Sequence, residues 1–285
     1  MKIEAKHLNK KYKKEQALKN LTVTFEGAKI IGLLGKNGAG KTTFMRLLAG
    51  HFQQTKGELT VDDQVPFNHY PTTKNICLIQ ENYNFYEKFK IDDVLKLSSA
   101  FYPNWNQEEA DHLLDIFNLK RKSKINALSK GMLSAVGIIV GLASHCPITV
   151  FDEPYIGLDA SFRSTFYDLL LASYQDDPRL IILSTHLIDE VSQLFEEVAI
   201  LHEGELLLHE TVEDLANKHD IVSGPKQEVE LFIKEKNVIH KSEILGKMTA
   251  VVYDEPKEDQ TNLHYSKASL QDLFVYLTKE EVAKH

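Results

Sequence analysis

The sequence predicts an α/β fold. Its core is a mainly parallel sheet, entered through antiparallel strands and interrupted by a helical insertion, and a small C-terminal α+β domain follows. Three observations carry this reading. An apolar run, a glycine-rich loop and an amphipathic stretch follow one another over residues 29–50. Buried-strand patterns alternate with helical ones between residues 148 and 201. From about 91 to 144 the apolar spacing is helical. Alternating strands and helices imply a parallel sheet with its ligand at the strand C-terminal ends.

Residues 2–8 and 20–25 alternate apolar and polar, which predicts exposed antiparallel strands. The run Lys29-Ile30-Ile31-Gly32-Leu33-Leu34 predicts a buried strand, and Phe44 to Gly50 a helix ending on glycine. Between them lies Gly35-Lys36-Asn37-Gly38-Ala39-Gly40-Lys41-Thr42-Thr43, the spacing of a phosphate-cradling loop. A triphosphate needs several backbone N–H groups aimed at one point, and glycines remove the side chains that would block them. The helix opening at Lys41 adds its positive end. The Lys41 ammonium then reaches the β and γ phosphates, and the Thr42 hydroxyl can ligate Mg²⁺.

Strands are further predicted at Glu58–Val61 and Ile76–Ile79. In the insertion, Val94, Leu95, Leu97 and Phe101 form one helical stripe and Leu113, Leu114, Ile116 and Phe117 another. Pro103-Asn104-Trp105-Asn106 separates them, with Asn106 a good N-cap. The core resumes at Ile148-Thr149-Val150-Phe151-Asp152, followed by a helix near 160–174, a strand Leu180–Ser184, a short helix from Leu187 and a hairpin around Glu203-Gly204. Phe151-Asp152-Glu153-Pro154 sets two acids side by side at a strand end. Such a pair alone is usually a solvated turn. About a hundred residues after a phosphate loop, Asp152 suits Mg²⁺ held through its water, and Glu153 suits a base that polarises water. Composition shifts after about Asn217: Ser223-Gly224-Pro225 is a break signal, Met248–Tyr253 a strand, Glu255 to Gln260 a charged turn. Ser269 caps a final helix with Leu270, Leu273, Phe274 and Leu277 on one face.

The bulk properties narrow the function. A formal charge of −8 argues against a general nucleic-acid surface, and Lys10 to Lys14 read as a solvated turn. The apolar run Ala135 to Ala143 is far short of the roughly 20 residues that span a bilayer. The N-terminus opens on a strand pattern without a signal peptide, and two cysteines in a long chain fit a reducing compartment. Together these predict a cytosolic protein.

With these motifs in order, residues 1 to about 218 resemble the nucleotide-binding subunit of an ATP-binding cassette (ABC) transporter, a P-loop NTPase with a RecA-like core. The resemblance assigns further residues. Tyr12 stands where the family stacks an aromatic on adenine. Gln80, in Leu78-Ile79-Gln80-Glu81-Asn82, matches the Q-loop glutamine that senses Mg²⁺, the attacking water and the membrane partner. Leu128-Ser129-Lys130-Gly131-Met132 matches the signature motif, in which Ser129 and Gly131 meet a γ-phosphate at a helix N-terminus. Lys130 and Met132 depart from the family's commonest form, Leu-Ser-Gly-Gly-Gln. Asp159 matches the D-loop acid and His186 the switch histidine.

The resemblance implies a catalytic set of Glu153, His186, Gln80 and Lys41, and metal contacts from Thr42, Gln80 and Asp152. ATP is held by Tyr12, Gly35 to Thr43, Ser129, Gly131 and Asp159. It implies ATP and Mg²⁺ as cofactors, a homo- or heterodimer of two such domains, and a separate transmembrane permease that holds the chain at the inner face of the membrane. Residues 1–218 would be the ATPase domain, with a helical subdomain at about 91–144, and residues 219–285 an accessory domain. Phe101-Tyr102-Pro103-Asn104-Trp105, the signature loop and Ser269 to Phe274 are similar to Gram-positive peptide or drug exporters of the phenol-soluble modulin or bacitracin type. The aromatic segment Asn82 to Tyr86 suits permease docking. The rival reading is a soluble ABC ATPase acting on nucleic acid or ribosomes. The acidic charge, the single cassette and the lack of a long coiled-coil insertion oppose it.

Overall fold

A computed structural model describes residues 1–81, 84–253 and 262–278. Strands β1 (Lys2–Tyr12) and β2 (Glu15–Glu26) form a long hairpin, and β3 (Lys29–Leu34) leads through the glycine loop into α1 (Lys41–Leu48). Then come β4 (Lys56–Val61), α2 (Tyr70–Thr73) and β5 (Ile76–Ile79), followed by the helices α3 (Ile91–Phe101), α4 (Gln107–Ile116) and α5 (Lys130–Ala143). The core resumes with β6 (Ile148–Asp152), α6 (Ala160–Asp176), β7 (Leu180–Ser184) and α7 (Ile188–Val191), then the hairpin β8 (Glu197–His202) and β9 (Glu205–Thr211). The chain continues with α8 (Val212–Lys218), β10 (His219–Pro225), α9 (Lys226–Phe232), β11 (Val238–Ile244), β12 (Lys247–Tyr253), β13 (His264–Lys267) and α10 (Leu270–Thr278).

The central sheet runs β5-β6-β7-β3-β8-β9. It is parallel except for the β8–β9 hairpin. Because β5, β6, β7 and β3 are parallel neighbours, their C-terminal ends form one row. Gln80, Asp152, Thr185 and the phosphate loop all leave from that edge. The antiparallel sheet β2-β1-β4 closes over one face of the core, and α5 with the insertion over the other. Alternate strand residues serve each side: Ile31 and Leu33 pack with Phe25 and Phe44, whereas Ile30 and Leu34 join the cluster containing Val136 and Phe151. Helix α5 is apolar around most of its circumference, since every residue from Ala135 to Ala143 is buried.

Asn106 caps α4 by accepting from the Glu109 N–H, and Ser269 caps α10 by accepting from the Asp272 N–H, as the sequence leads one to expect. Two local readings change. The first hairpin is longer than its alternation suggests, because register shifts within β1 break the period of two. Ser223-Gly224-Pro225 is not a break but the end of β10, where Gly224 faces Met248 and Pro225 faces Lys247 on β12. The described pairing of β13 with β10 runs from Asp220 to Ser223, so Pro225 lies beyond that ladder. The four-stranded sheet β11-β12-β10-β13 is separate from the core sheet and wholly antiparallel. The expected charged turn at 255–260 lies outside the described residues, as do Asn82 and Tyr83.

One ionic clamp joins the insertion to the core. His145, just beyond α5, meets Glu109 of α4 through Nε2 at 2.5 Å and Asp177, at the end of α6, through Nδ1 at 2.7 Å. Buried Arg179 stands 3.6 Å from Asp177 and opposes the imidazolium. Glu109 is the main cause of a raised His145 pKa, which desolvation partly offsets before Asp177 adds to it. A raised folded value means that the extra stability is present below the ordinary histidine value and is lost as pH rises through the folded one. The melting temperature should therefore fall as pH is taken from about 6 to about 8.5. Glu109→Gln should flatten that fall, and identical profiles for the two proteins would remove the clamp from the account.

Candidate functional site

The phosphate loop is held open by backbone conformation. Gly40, at the entrance to α1, has φ of 103°, and a Cβ there would come within 2.7 Å of the Ala17 carbonyl. Lys41 is buried, and its Nζ donates to the carbonyls of Gly35 at 2.6 Å and Lys36 at 3.4 Å. Desolvation lowers its pKa, and the nearby carboxylates of Glu153 and Asp152 counteract this by favouring the charged form.

Asp152 is the hub of the site. Its Oδ2 accepts from the Thr42 hydroxyl at 2.7 Å and its Oδ1 from the Ser184 hydroxyl at 2.7 Å. The sheet register sets Asp152 directly beside Ser184, so the second bond follows from strand pairing. The next residue, Glu153, takes φ of 49°, which turns its side chain away from that of Asp152. Its Oε2 accepts from His186 Nδ1 at 2.6 Å. That bond leaves Nε2 of the exposed His186 ring available to another group.

Tyr155 is a member of the site that motif spacing did not reveal. Its hydroxyl is 2.6 Å from Thr185 Oγ1 and accepts from the His186 N–H at 3.1 Å. Thr185 Oγ1 in turn accepts from the Leu187 N–H. Burial pushes the Tyr155 hydroxyl up to about 12, so it acts as a neutral brace for the turn carrying His186. Its place directly after Asp152-Glu153-Pro154 was the only available signal.

The remaining expected residues fall into separate groups. Gln80 Oε1 accepts from Arg46 Nε of α1 at 2.6 Å, so its side chain is tied to that helix and not to Thr42 or Asp152. Asn84 bonds both the N–H and the carbonyl of Gln80. Ser129 caps α5 by accepting from the Met132 N–H. Gly131 packs so closely on the loop after β6 that a Cβ would lie 2.4 Å from the Gly157 carbonyl. Lys130 pairs with Glu81 at 3.1 Å, which links the signature loop to the residue after Gln80. Asp159 caps α6. Tyr12 lies at the tip of the first hairpin, edge-on to Phe52 at 5.9 Å, with Lys10 Nζ 4.9 Å from its ring. Thus Lys41, Thr42, Asp152, Glu153 and His186 converge within one chain, whereas Ser129, Gly131 and Tyr12 are positioned by other contacts.

Residues 18–156 match the family model described as ABC transporter. The chain is 24% identical over 237 residues to the ABC transporter ATP-binding protein YtrB of Bacillus subtilis, covering 83% of this chain and 81% of that protein. It is 26% identical over 208 residues to the bacitracin transport ATP-binding protein BcrA of Bacillus licheniformis, covering 72% and 68%. In fold it is similar to the dimeric structure of MJ0796, a bacterial ABC transporter cassette, with a TM-score of 0.65, 23% identity and coverage of 73% and 98%.

Tyr155→Phe deletes a buried hydroxyl with two partners. It should cost about 1–3 kcal/mol in urea unfolding, the usual penalty for stranding a buried hydrogen-bonding group. An unchanged midpoint would show that the brace is not needed.

Proposed function

The chain carries an ABC transporter ATP-binding domain, and from that premise we propose that it is the ATP-hydrolysing subunit of an exporter for amphipathic or antimicrobial peptides or drugs. One observation supports hydrolysis above all. The Glu153 carboxylate and the His186 ring are bonded to each other beside the Lys41–Thr42–Asp152 cluster. Glu153 polarises a water whose oxygen attacks the γ-phosphorus, and the bond to the bridging oxygen of ADP breaks as Glu153 takes the water's proton. His186 offers Nε2 to a γ-phosphate oxygen.

The donor set also fits Mg²⁺. Thr42 Oγ1 and Asp152 Oδ2 are hard oxygen donors held 2.7 Å apart at the foot of the loop. Bound there, the ion would supply charge neutralisation to the phosphates. Gln80 would join it only after releasing Arg46.

Two copies, or this chain and a related one, would face each other head to tail, so that Ser129 and Gly131 of one complete the phosphate site of the other. ATP brings the γ-phosphate that bridges them, and its hydrolysis lets the pair reopen. Residues 1–218 form the cassette on this reading and residues 219–285 an accessory domain. The permease would dock on the insertion side. A groove of about 470 Å³ there is lined by His51, Tyr70, Phe101 and Tyr102, with Tyr70 and Phe101 exposed. A second of about 290 Å³ is lined by Phe85, Tyr86, Phe89 and Leu97. Of the aromatic segment expected to dock, Tyr86 is exposed and Phe85 half-buried. No helix among the described residues is long and apolar enough to cross a membrane. Peptide or drug export rests on the likeness to the bacitracin transport protein. The nucleic-acid reading has no such support and runs against the charge of −8.

Glu153→Gln should bind ATP, hydrolyse it at least a hundredfold more slowly and form an ATP-dependent dimer in size-exclusion chromatography with light scattering. Hydrolysis at the wild-type rate would remove Glu153 as the base. Lys41→Ala should abolish steady-state phosphate release, and persistent release would overturn the loop assignment.

A further inference from the structure

Thr278, the last described residue of helix α10 (Leu270–Thr278), meets the phosphate loop. Helix α10 buries Leu270, Leu273 and Thr278 and packs against α7, the turn that begins two residues after His186, and against α8 and β11. Its apolar residues share a buried cluster with Ile188 and Val191 of α7 and Leu215 of α8. At the other end of the contact, Lys36 Nζ donates to the Thr278 carbonyl at 2.5 Å. Lys36 is the second residue of the phosphate loop, and its own carbonyl accepts from Lys41 Nζ. A single helix from the C-terminal region therefore touches the nucleotide site twice, through the loop and through the switch turn.

The contact ties the position of α10 to the shape of the loop: the Lys36 side chain holds the Thr278 carbonyl, while the Lys36 backbone carbonyl holds Lys41.

We propose that α10 is a working part of the nucleotide site and that Lys36 is the positioning residue that couples nucleotide occupancy to its docking. This rests on the ATP-binding reading above and assigns to the accessory region a role within that site. Coupling of this kind is reciprocal: what ATP does to α10, α10 does to ATP affinity.

The test is amide exchange on the full chain, with and without ATP and Mg²⁺, alongside affinity from a fluorescent ATP analogue. In the wild type, ATP should slow exchange across residues 270–278. In Lys36→Met the analogue should bind about two- to tenfold more weakly, the scale of one lost hydrogen bond. In that variant the α10 response to ATP should disappear, and Lys36→Arg should restore both effects. A purely structural role for Lys36 would lower protection in α10 with and without nucleotide alike. ATP binding that leaves α10 exchange unchanged in the wild type, or a Lys36→Met protein that responds like the wild type, would overturn the proposal. A wild-type chain that binds no ATP would overturn the nucleotide-site reading itself.

Discussion

The site depends on one buried carboxylate held between two hydroxyls. Asp152 accepts from Thr42 at the head of α1 and from Ser184 at the end of β7, so three neighbouring strand ends are locked by a single side chain. A carboxylate this buried is tolerable only when its oxygens are satisfied, and here both are. The bonds also fix the height of Thr42, and with it Lys41, relative to the turn carrying Glu153. Parallel pairing aligns the strand ends, and Asp152 converts that alignment into a fixed geometry.

A second constraint sets the partition of the chemistry. Gly131 touches Gly157 so closely that neither tolerates a side chain, and Ser134 bonds the Ile156 carbonyl. The signature loop is thus fastened to the segment that follows Glu153. The Lys130–Glu81 pair adds a link from the same loop to the residue after Gln80. Both partners of that pair are exposed, so it steers more than it stabilises.

The order of strands and helices in the core was legible because buried strands, glycine loop and helical stripes each leave a distinct period. Lys41, Thr42, Asp152 and Glu153 stood out by type and spacing and His186 by the family resemblance, and the fold brings them together. The register breaks in β1 were not legible, since a bulge erases alternation where it occurs. Ser223-Gly224-Pro225 misled because its composition marks a turn in isolation, while in the fold it ends a strand paired with β12. Tyr155, Arg46 and Lys36 acquire their roles from partners 31, 34 and 242 residues away, distances at which local pattern carries no information. Gln80 was recognisable as a type, but its engagement with Arg46 was not.

The lysine of the phosphate loop holds two backbone carbonyls. Lys41 spends its ammonium on the carbonyls of Gly35 and Lys36, inside a region dry enough to depress its basicity. On the proposed function, nucleotide capture exchanges these carbonyl oxygens for phosphate oxygens on a cation that is already buried. Such an exchange gives up part of the raw attraction between charges, but the loop needs little rearrangement to accept its ligand. It also favours release, because the same carbonyls stand ready to take the lysine back when the phosphate leaves.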